Sequence, residues 1–245
     1  MVPDGWHTTV FEDHIDLLSG FAFKSDGYTE NEADVRLLRG DNIEPGRIRW
    51  RNAKRWPVID YPDLEKYQLK VGDFVIAMDR TYISAGLKVA EVSADDSPSL
   101  LVQRVSRVRA KDTLDQRLLR QYFSSFKFEQ YVKAVQTETA VPHISARQIK
   151  DFPVVLPPKN EQSKIADVLA TWDQAIETTE KLIENSTVQR KALMQQLLTG
   201  NKRYSQFIKS NEKQKTKYGD VPLDWSFLPI SNIAWERNER AGVNS

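Results

Sequence analysis

A chain of 245 residues that is 40% apolar has room for one or two domains with cores of their own. Its formal charge of +1 excludes a molecule that is basic over its whole surface, so any contact with nucleic acid must come from local patches. The sequence has no cysteine, which excludes disulfides and thiolate metal sites. No apolar run approaches about 18 residues and no basic-then-apolar leader follows Met1, so a soluble, cytoplasmic protein is expected.

Val2-Pro3-Asp4-Gly5-Trp6 opens the chain and returns as Val221-Pro222-Leu223-Asp224-Trp225, each copy standing where a new unit would begin. Only twenty residues follow the second tryptophan, so the sequence reads as one cut shortly after a second repeat starts. Between Val10 and Pro158, short β-branched runs bounded by turn residues predict strands at Val35 to Leu38, Phe74 to Met78, Leu87 to Val92 and Leu100 to Val108. Leu118, Leu119, Tyr122, Phe123, Phe126 and Tyr131 recur at helical spacing and predict one amphipathic helix over Leu114 to Val132, its aromatic rings in the core. A polar loop from Thr137 to Ser145, a short helical segment around Ala146 to Ile149 and a strand at Phe152 to Leu156 complete a mixed, strand-rich domain.

Lys159 to Thr199 contains neither Pro nor Gly and lies between Pro157-Pro158 and Gly200, which predicts one continuous helix roughly 60 Å long. Asn160 is the expected N-cap, with Glu161 in the first turn and Lys191 and Gly200 suited to the far end. Ile165, Leu169, Trp172, Ile176, Thr179, Ile183, Leu193 and Leu197 follow a 4-3 spacing, interrupted by the polar step Ser186 and Arg190. That period is a coiled-coil seam, so the helix is expected to pair with another long helix. The lysine-rich stretch 201–217 reads as an exposed linker. The predicted class is α+β: a domain over 1–158, the helix over 159–200, the linker, and the start of a second domain over 218–245.

Catalytic constellations are missing from the sequence. No lysine has an Asp or Glu two positions before it, as a metal-dependent nuclease motif needs, and Pro157-Pro158 lacks the flanking residues of an amino-methyltransferase motif. There is no G-x-x-x-x-G-K phosphate loop, and His7, His14 and His143 lack ligand spacing, so neither cofactor nor metal is expected. Charge is instead placed locally. Arg47, Arg49, Arg51, Lys54 and Arg55 crowd around Trp50 and Trp56, and the alternation of the first three directs them to one face of an extended segment. Such a face fits a phosphate backbone, and it equally fits a solvated edge strand guarded by charge. The loop Asp79 to Ser84 offers Arg80, hydroxyls and a ring between two predicted strands, where specificity residues tend to be carried.

Taken together, five motifs resemble the specificity (S) subunit of type I restriction-modification systems over residues 2–200. They are Gly20-Phe21-Ala22-Phe23-Lys24-Ser25 with Tyr28; Leu38-Arg39-Gly40-Asp41-Asn42-Ile43; the Gly72-Asp73 turn; Thr139-Ala140 through His143-Ile144-Ser145 and Ile149; and Leu156-Pro157-Pro158-Lys159-Asn160-Glu161-Gln162 with Ile165, Leu169 and Asp173. The resemblance implies a target recognition domain and a helix, followed in full-length members by a second domain and helix, with the helices antiparallel as a spacer between two readers of a bipartite double-stranded DNA site. It also implies a non-catalytic protein that docks methyltransferase (modification) subunits, with a restriction (nuclease) subunit as a further possible partner. With one domain and one helix, a homodimer through antiparallel helices is expected.

The DNA-facing candidates are Lys24, Arg47, Arg49, Arg51, Lys54, Arg80, Thr81, Tyr82, Ser84, Lys88, Thr139, His143 and Ser145, with Asp173, Gln174, Glu177 and Lys181 facing a protein partner. The competing readings are a fragment of a single-chain restriction-modification enzyme, against which the start at Met1 and the missing cofactor motif speak, and a coiled-coil interaction protein with no DNA role.

Overall fold

A computed structural model describes residues 2–217, 219–226 and 228–234. The chain divides into two compact units, residues 1–173 and 174–245. The expected start of a second domain over 218–245 extends beyond Ala234, outside the described residues.

The first unit is built around the strand Phe74–Ala77, in which every residue is buried. Its unbroken apolar run has a simple cause: Phe74 and Ile76 enter one core while Val75 and Ala77 enter another, as the two-residue period of a strand requires. Around it lies an antiparallel sheet ordered Val89–Glu91, Phe74–Ala77, Val105–Ala110, Ile15–Ser19. A three-stranded sheet places Val35–Leu38 between Ser99–Leu101, which is parallel to it, and Arg55–Trp56, which is antiparallel. Here too the neighbours divide: Leu38 and Leu101 join Val75 and Ala77, whereas Leu37 and Leu100 pack with Phe23 and Val35 in a third cluster.

Two helices, α1 (Gln116–Phe123) and α2 (Phe126–Val135), stand where one helix over Leu114 to Val132 was expected. The break falls at Ser124-Ser125. Ser125 accepts from the Phe128 N–H at 3.2 Å and donates to the Tyr122 carbonyl at 2.6 Å, so it ends one helix and caps the next. Phe123 and Phe128 are fully buried with Phe11, Phe74 and Phe152, as the core assignment expected, but Phe126 is 75% exposed at the start of α2. The expected strands at Leu87 to Val92 and Leu100 to Val108 are each divided. The second breaks at Arg104, whose φ is +67°.

Helix α3 (Ala146–Lys150) leads to the strand Pro153–Leu156, which pairs antiparallel with His7–Val10 and so brings the chain start beside the start of α4 (Lys159–Leu198). Trp6 donates from Nε1 to Glu161 at 3.2 Å. Asn160 lies inside the first turn of α4 and is not its N-cap, because the helical bonds already begin from the Pro158 carbonyl, which accepts from the N–H groups of Glu161 and Gln162. Gln162 is 2% exposed; it accepts from the Asp115 N–H at 2.9 Å and donates to the Thr113 and Pro157 carbonyls at 3.0 Å.

In the second unit α4 runs on to Leu198, and Gly200 ends it with φ +72°, the left-handed conformation expected of a glycine there. A β-carbon on Gly200 would sit 2.3 Å from Pro222, so the second Val-Pro-x-x-Trp copy is packed against that glycine. The stretch expected as a linker is largely exposed yet not featureless: it holds a 3-10 turn at Ser205–Phe207 and the strand Lys213–Thr216, paired with Gly219–Pro222. Arg203 clasps Asp224 through two hydrogen bonds of 2.9 and 2.8 Å beside this hairpin. Among the described residues no helix is long and apolar enough to cross a membrane.

Candidate nucleic-acid interface

One end of the four-stranded and three-stranded sheets of the first unit gathers charge on short turns. Strand Phe74–Ala77 leaves the sheet at Met78, and the Met78 N–H donates to the Arg104 carbonyl at 2.8 Å, so the turn before Val105–Ala110 lies against the turn after Ala77. The loop before α3 is zipped to the same place: the Arg80 N–H donates to the Pro142 carbonyl at 2.7 Å and the Ile144 N–H to the Met78 carbonyl at 2.9 Å. Asp79 stands at the centre. Its Oδ1 is 2.7 Å from Nδ1 of His143 and 3.6 Å from Nη1 of Arg104.

Lys88 joins from just before the strand Val89–Glu91, its N–H donating to the Thr81 carbonyl at 2.7 Å. Burial pushes its ammonium below the usual lysine range; Asp41 and Asp79 oppose that shift and Arg80 adds to it. A β-carbon on Gly40 would lie 4.0 Å from Lys88 Nζ, which brings in the turn carrying Arg39 and Asp41, themselves 3.5 Å apart. Four cations, Arg39, Arg80, Lys88 and Arg104, thus meet two carboxylates, Asp41 and Asp79. On a chain that is nearly neutral overall, this is a local positive surface with a histidine in it.

The expected site residues distribute unevenly. Arg80, Lys88 and His143 are brought together, and Ser84 and Thr139 are exposed on nearby loops. Thr81 is a correction: it is 1% exposed, and its hydroxyl donates to the Ala77 carbonyl at 2.7 Å, holding the turn shut. Ser145 is likewise occupied as the N-cap of α3, in a capping box with Gln148. The Tyr82 ring packs on the core and has Lys133 Nζ 3.9 Å above it.

Arg47, Arg49, Arg51 and Lys54 are exposed on a second strip, the hairpin of Ile43–Glu44 with Arg47–Ile48 and the turn beyond it. Only Arg47 lies in a strand, so the expected one-faced extended run is not formed. Arg47 and Arg49 both bind Glu44, at 2.9 and 2.6 Å, and the hydrogen bond from Arg49 is the main reason that carboxyl titrates below its usual range. The Gly46 N–H donates to Val89 at 2.9 Å, which hangs this hairpin beside the strand that follows Lys88. Lys24 is exposed on the loop after Phe23. Arg39 and Arg104 were not among the expected residues, although the Leu38 to Ile43 motif contained the first.

The helical seam divides. Ile165 packs on the domain core and Leu169 is half-buried. Trp172, Ile176, Ile183 and Leu193 are 67%, 56%, 62% and 43% exposed, and Leu182, Val188 and Met194 widen the bare stripe. The Thr179 hydroxyl is turned back on the helix, donating to the Ala175 carbonyl at 2.8 Å, and Leu197 is half-buried near the helix end. Asp173, expected to face a partner, accepts from Gln121 at 2.7 Å and lies 3.8 Å from Arg120. Lys181 and Glu177 pair at 2.6 Å, and Gln174 is exposed. Among the described residues no three His, Asp or Glu side chains converge as a metal site needs.

A mixed α+β domain with cations on sheet-end turns, followed by a long helix with a bare apolar stripe, defines the class of protein. The family model "Type I restriction modification DNA specificity domain" matches residues 40–185, more than half of the chain, and the chain belongs to that family. It is 34% identical over 182 residues to the type I restriction enzyme EcoAI specificity subunit of Escherichia coli, covering 74% of this chain and 30% of that protein. It is 31% identical over 203 residues to the MjaVIII specificity subunit of Methanocaldococcus jannaschii, covering 81% and 47%. The crystal structure of the type I restriction-modification S subunit from M. genitalium shares the fold, with a TM-score of 0.53 at 17% identity over 80% of this chain and 46% of that one. The chain therefore spans less than half the length of each of these relatives.

Proposed function

We propose that this chain is a sequence-specific reader of double-stranded DNA within a cytoplasmic type I restriction-modification complex. It reads one half of a bipartite site, carries no catalytic centre, and places a methyltransferase subunit over the target, with a nuclease subunit joining the same assembly. The observation that carries the reading is the cluster of Arg39, Arg80, Lys88 and Arg104 on turns at one sheet end, in a chain of the DNA specificity family. Turns held by a rigid sheet are where a reader can vary its side chains without disturbing the fold. Arg47, Arg49, Arg51 and Lys54, with Lys24, hold phosphates, which sets register without sequence information; Ser84, Thr139 and His143 border the base-reading turns.

The bare stripe on α4 supports a homodimer through antiparallel helices, each acting as a ruler between two identical readers. Protein symmetry is then mirrored in the DNA, so the site is an inverted repeat at fixed spacing. The test is selection from a random duplex library by the full chain, alone and with its modification subunit, at two salt concentrations. An enriched inverted motif is expected. A chain that binds DNA only through salt-sensitive, sequence-blind contacts, with or without the partner, removes the reading.

A further inference from the structure

Three non-glycine residues of the described chain have left-handed backbones: Asn52 at φ 58°, Arg80 at φ 48° and Arg104 at φ 67°. Asparagine is an ordinary occupant of that region, whereas arginine is not, because its β-carbon crowds the neighbouring carbonyl. A turn that served only to reverse the chain would carry glycine or asparagine there. The two arginine turns are also adjacent, joined by the 2.8 Å hydrogen bond from Met78 N–H to the Arg104 carbonyl. Between them Asp79 faces Arg104 and holds His143 at 2.7 Å. The Arg104 side chain is 62% exposed, and Arg80 forms no side-chain hydrogen bond or ion pair among the described residues. Arg47 and Arg49, by contrast, are both engaged by Glu44.

Resting on the DNA-reading role above, we infer that Arg80 and Arg104 are a base-reading pair for guanine in the major groove, and that Asp79 is a positioning residue that directs the Arg104 guanidinium. The planar fork of a guanidinium matches the two acceptors, O6 and N7, on the exposed edge of guanine, and lysine lacks that geometry. Asp79 performs two tasks from one carboxylate. It limits the rotamers of Arg104, and its negative charge beside the fork disfavours a phosphate at the same place.

The test uses the duplex motif selected by the wild-type chain with its modification subunit, and the same duplex with each guanine replaced singly by 7-deazaguanine, which lacks N7. The variants are Arg80→Gly, Arg104→Gly, Arg104→Lys and Asp79→Asn. Glycine is chosen because it accepts a positive φ, so removal of the side chain relaxes the turn and the melting midpoint holds or rises. Wild type is expected to lose roughly 10- to 100-fold in affinity at one or two 7-deazaguanine positions. Each glycine variant loses that discrimination at its own guanine while its salt slope stays close to wild type, and Arg104→Lys does not restore it. Asp79→Asn keeps or gains affinity for random duplex and loses discrimination at the Arg104 position.

Two outcomes overturn the inference and leave the DNA-reading role intact. One is a glycine variant that weakens binding equally on every sequence and lowers the salt slope by about one, the signature of a phosphate contact. The other is a selected motif indifferent to every guanine replacement. Failure of wild type to select any motif strikes instead at the function on which the inference rests.

Discussion

Within α4, Gln162, Ile165 and Ala166 are held against the first domain, whereas Trp172, Ile176, Leu182, Ile183 and Val188 are between 56% and 67% exposed. One helix with one apolar period thus serves two purposes, and the division between the two compact units falls after Asp173, where the first purpose ends. At the root, polar and apolar contacts act together. Gln162 satisfies three backbone groups, Ala166 is 1% exposed among the core side chains, and Arg117 of α1 bonds Asp167. Further along, large apolar side chains that would each contribute about 1.5–3 kcal/mol on full burial lie in solvent. An exposed apolar face beside the Glu177–Lys181 pair is the kind of surface that interaction sites are made of.

The contrast can be broken from either side. Gln162→Leu is expected to have the largest effect on the folded chain. It leaves the Pro157 carbonyl without its partner in a buried place and the Asp115 N–H and Thr113 carbonyl without theirs in partly buried ones, a loss of about 3 kcal/mol. Urea unfolding of the first domain measures it, and a change within about 0.5 kcal/mol would mean that the helix root is not anchored by this amide. Ile176→Asp with Ile183→Asp is expected to leave that unfolding midpoint unchanged, because neither side chain is buried in the chain itself. The same pair should abolish self-association in light scattering; a dimer that persists at the wild-type concentration range rejects α4 as its interface.

What the sequence made legible follows from what leaves a mark in residue order. Short β-branched runs between turn residues placed Val35–Leu38 and Phe74–Ala77, and the run without Pro or Gly placed α4. The break at Ser124-Ser125 was hidden because Phe126 sits at helical spacing from Phe123 although it points to solvent. Arg104 was hidden inside a run that reads as one strand, since its turn contains no Gly or Pro to announce it. Hydroxyls misled for a different reason: Thr81 and Ser145 suit a ligand and a backbone group equally well, and the backbone claimed both. Only the Ser145-x-x-Gln148 spacing carried a visible hint of the cap. Nor does a 4-3 pattern state whose core it meets, so Ile165 was read as part of a seam that begins one turn or more later.

The smallest expected effect sharpens the same comparison by pH, because all three histidines of the chain, His7, His14 and His143, lie before Asp173. His14 is 8% exposed, with ring nitrogens 2.8 Å from the Thr113 hydroxyl and 3.2 Å from the Thr9 hydroxyl. Burial pushes its pKa below the ordinary 6.5; Asp13 opposes the shift, while His7 and Lys111 add to it. The unfolded chain therefore takes up a proton on His14 at a pH where the folded chain resists it. Stability contributed by the neutral ring is fully present above about pH 6.5 and declines as pH falls from there toward the lowered folded value. Urea midpoints of the first domain across that window should fall with pH in wild type and fall less in His14→Gln, whose amide keeps hydrogen-bonding capacity without a charge to gain. Self-association through the exposed stripe has no histidine to titrate and should show no matching drop over the same window. Equal slopes for wild type and His14→Gln would assign the pH response to other groups and remove His14 from the account.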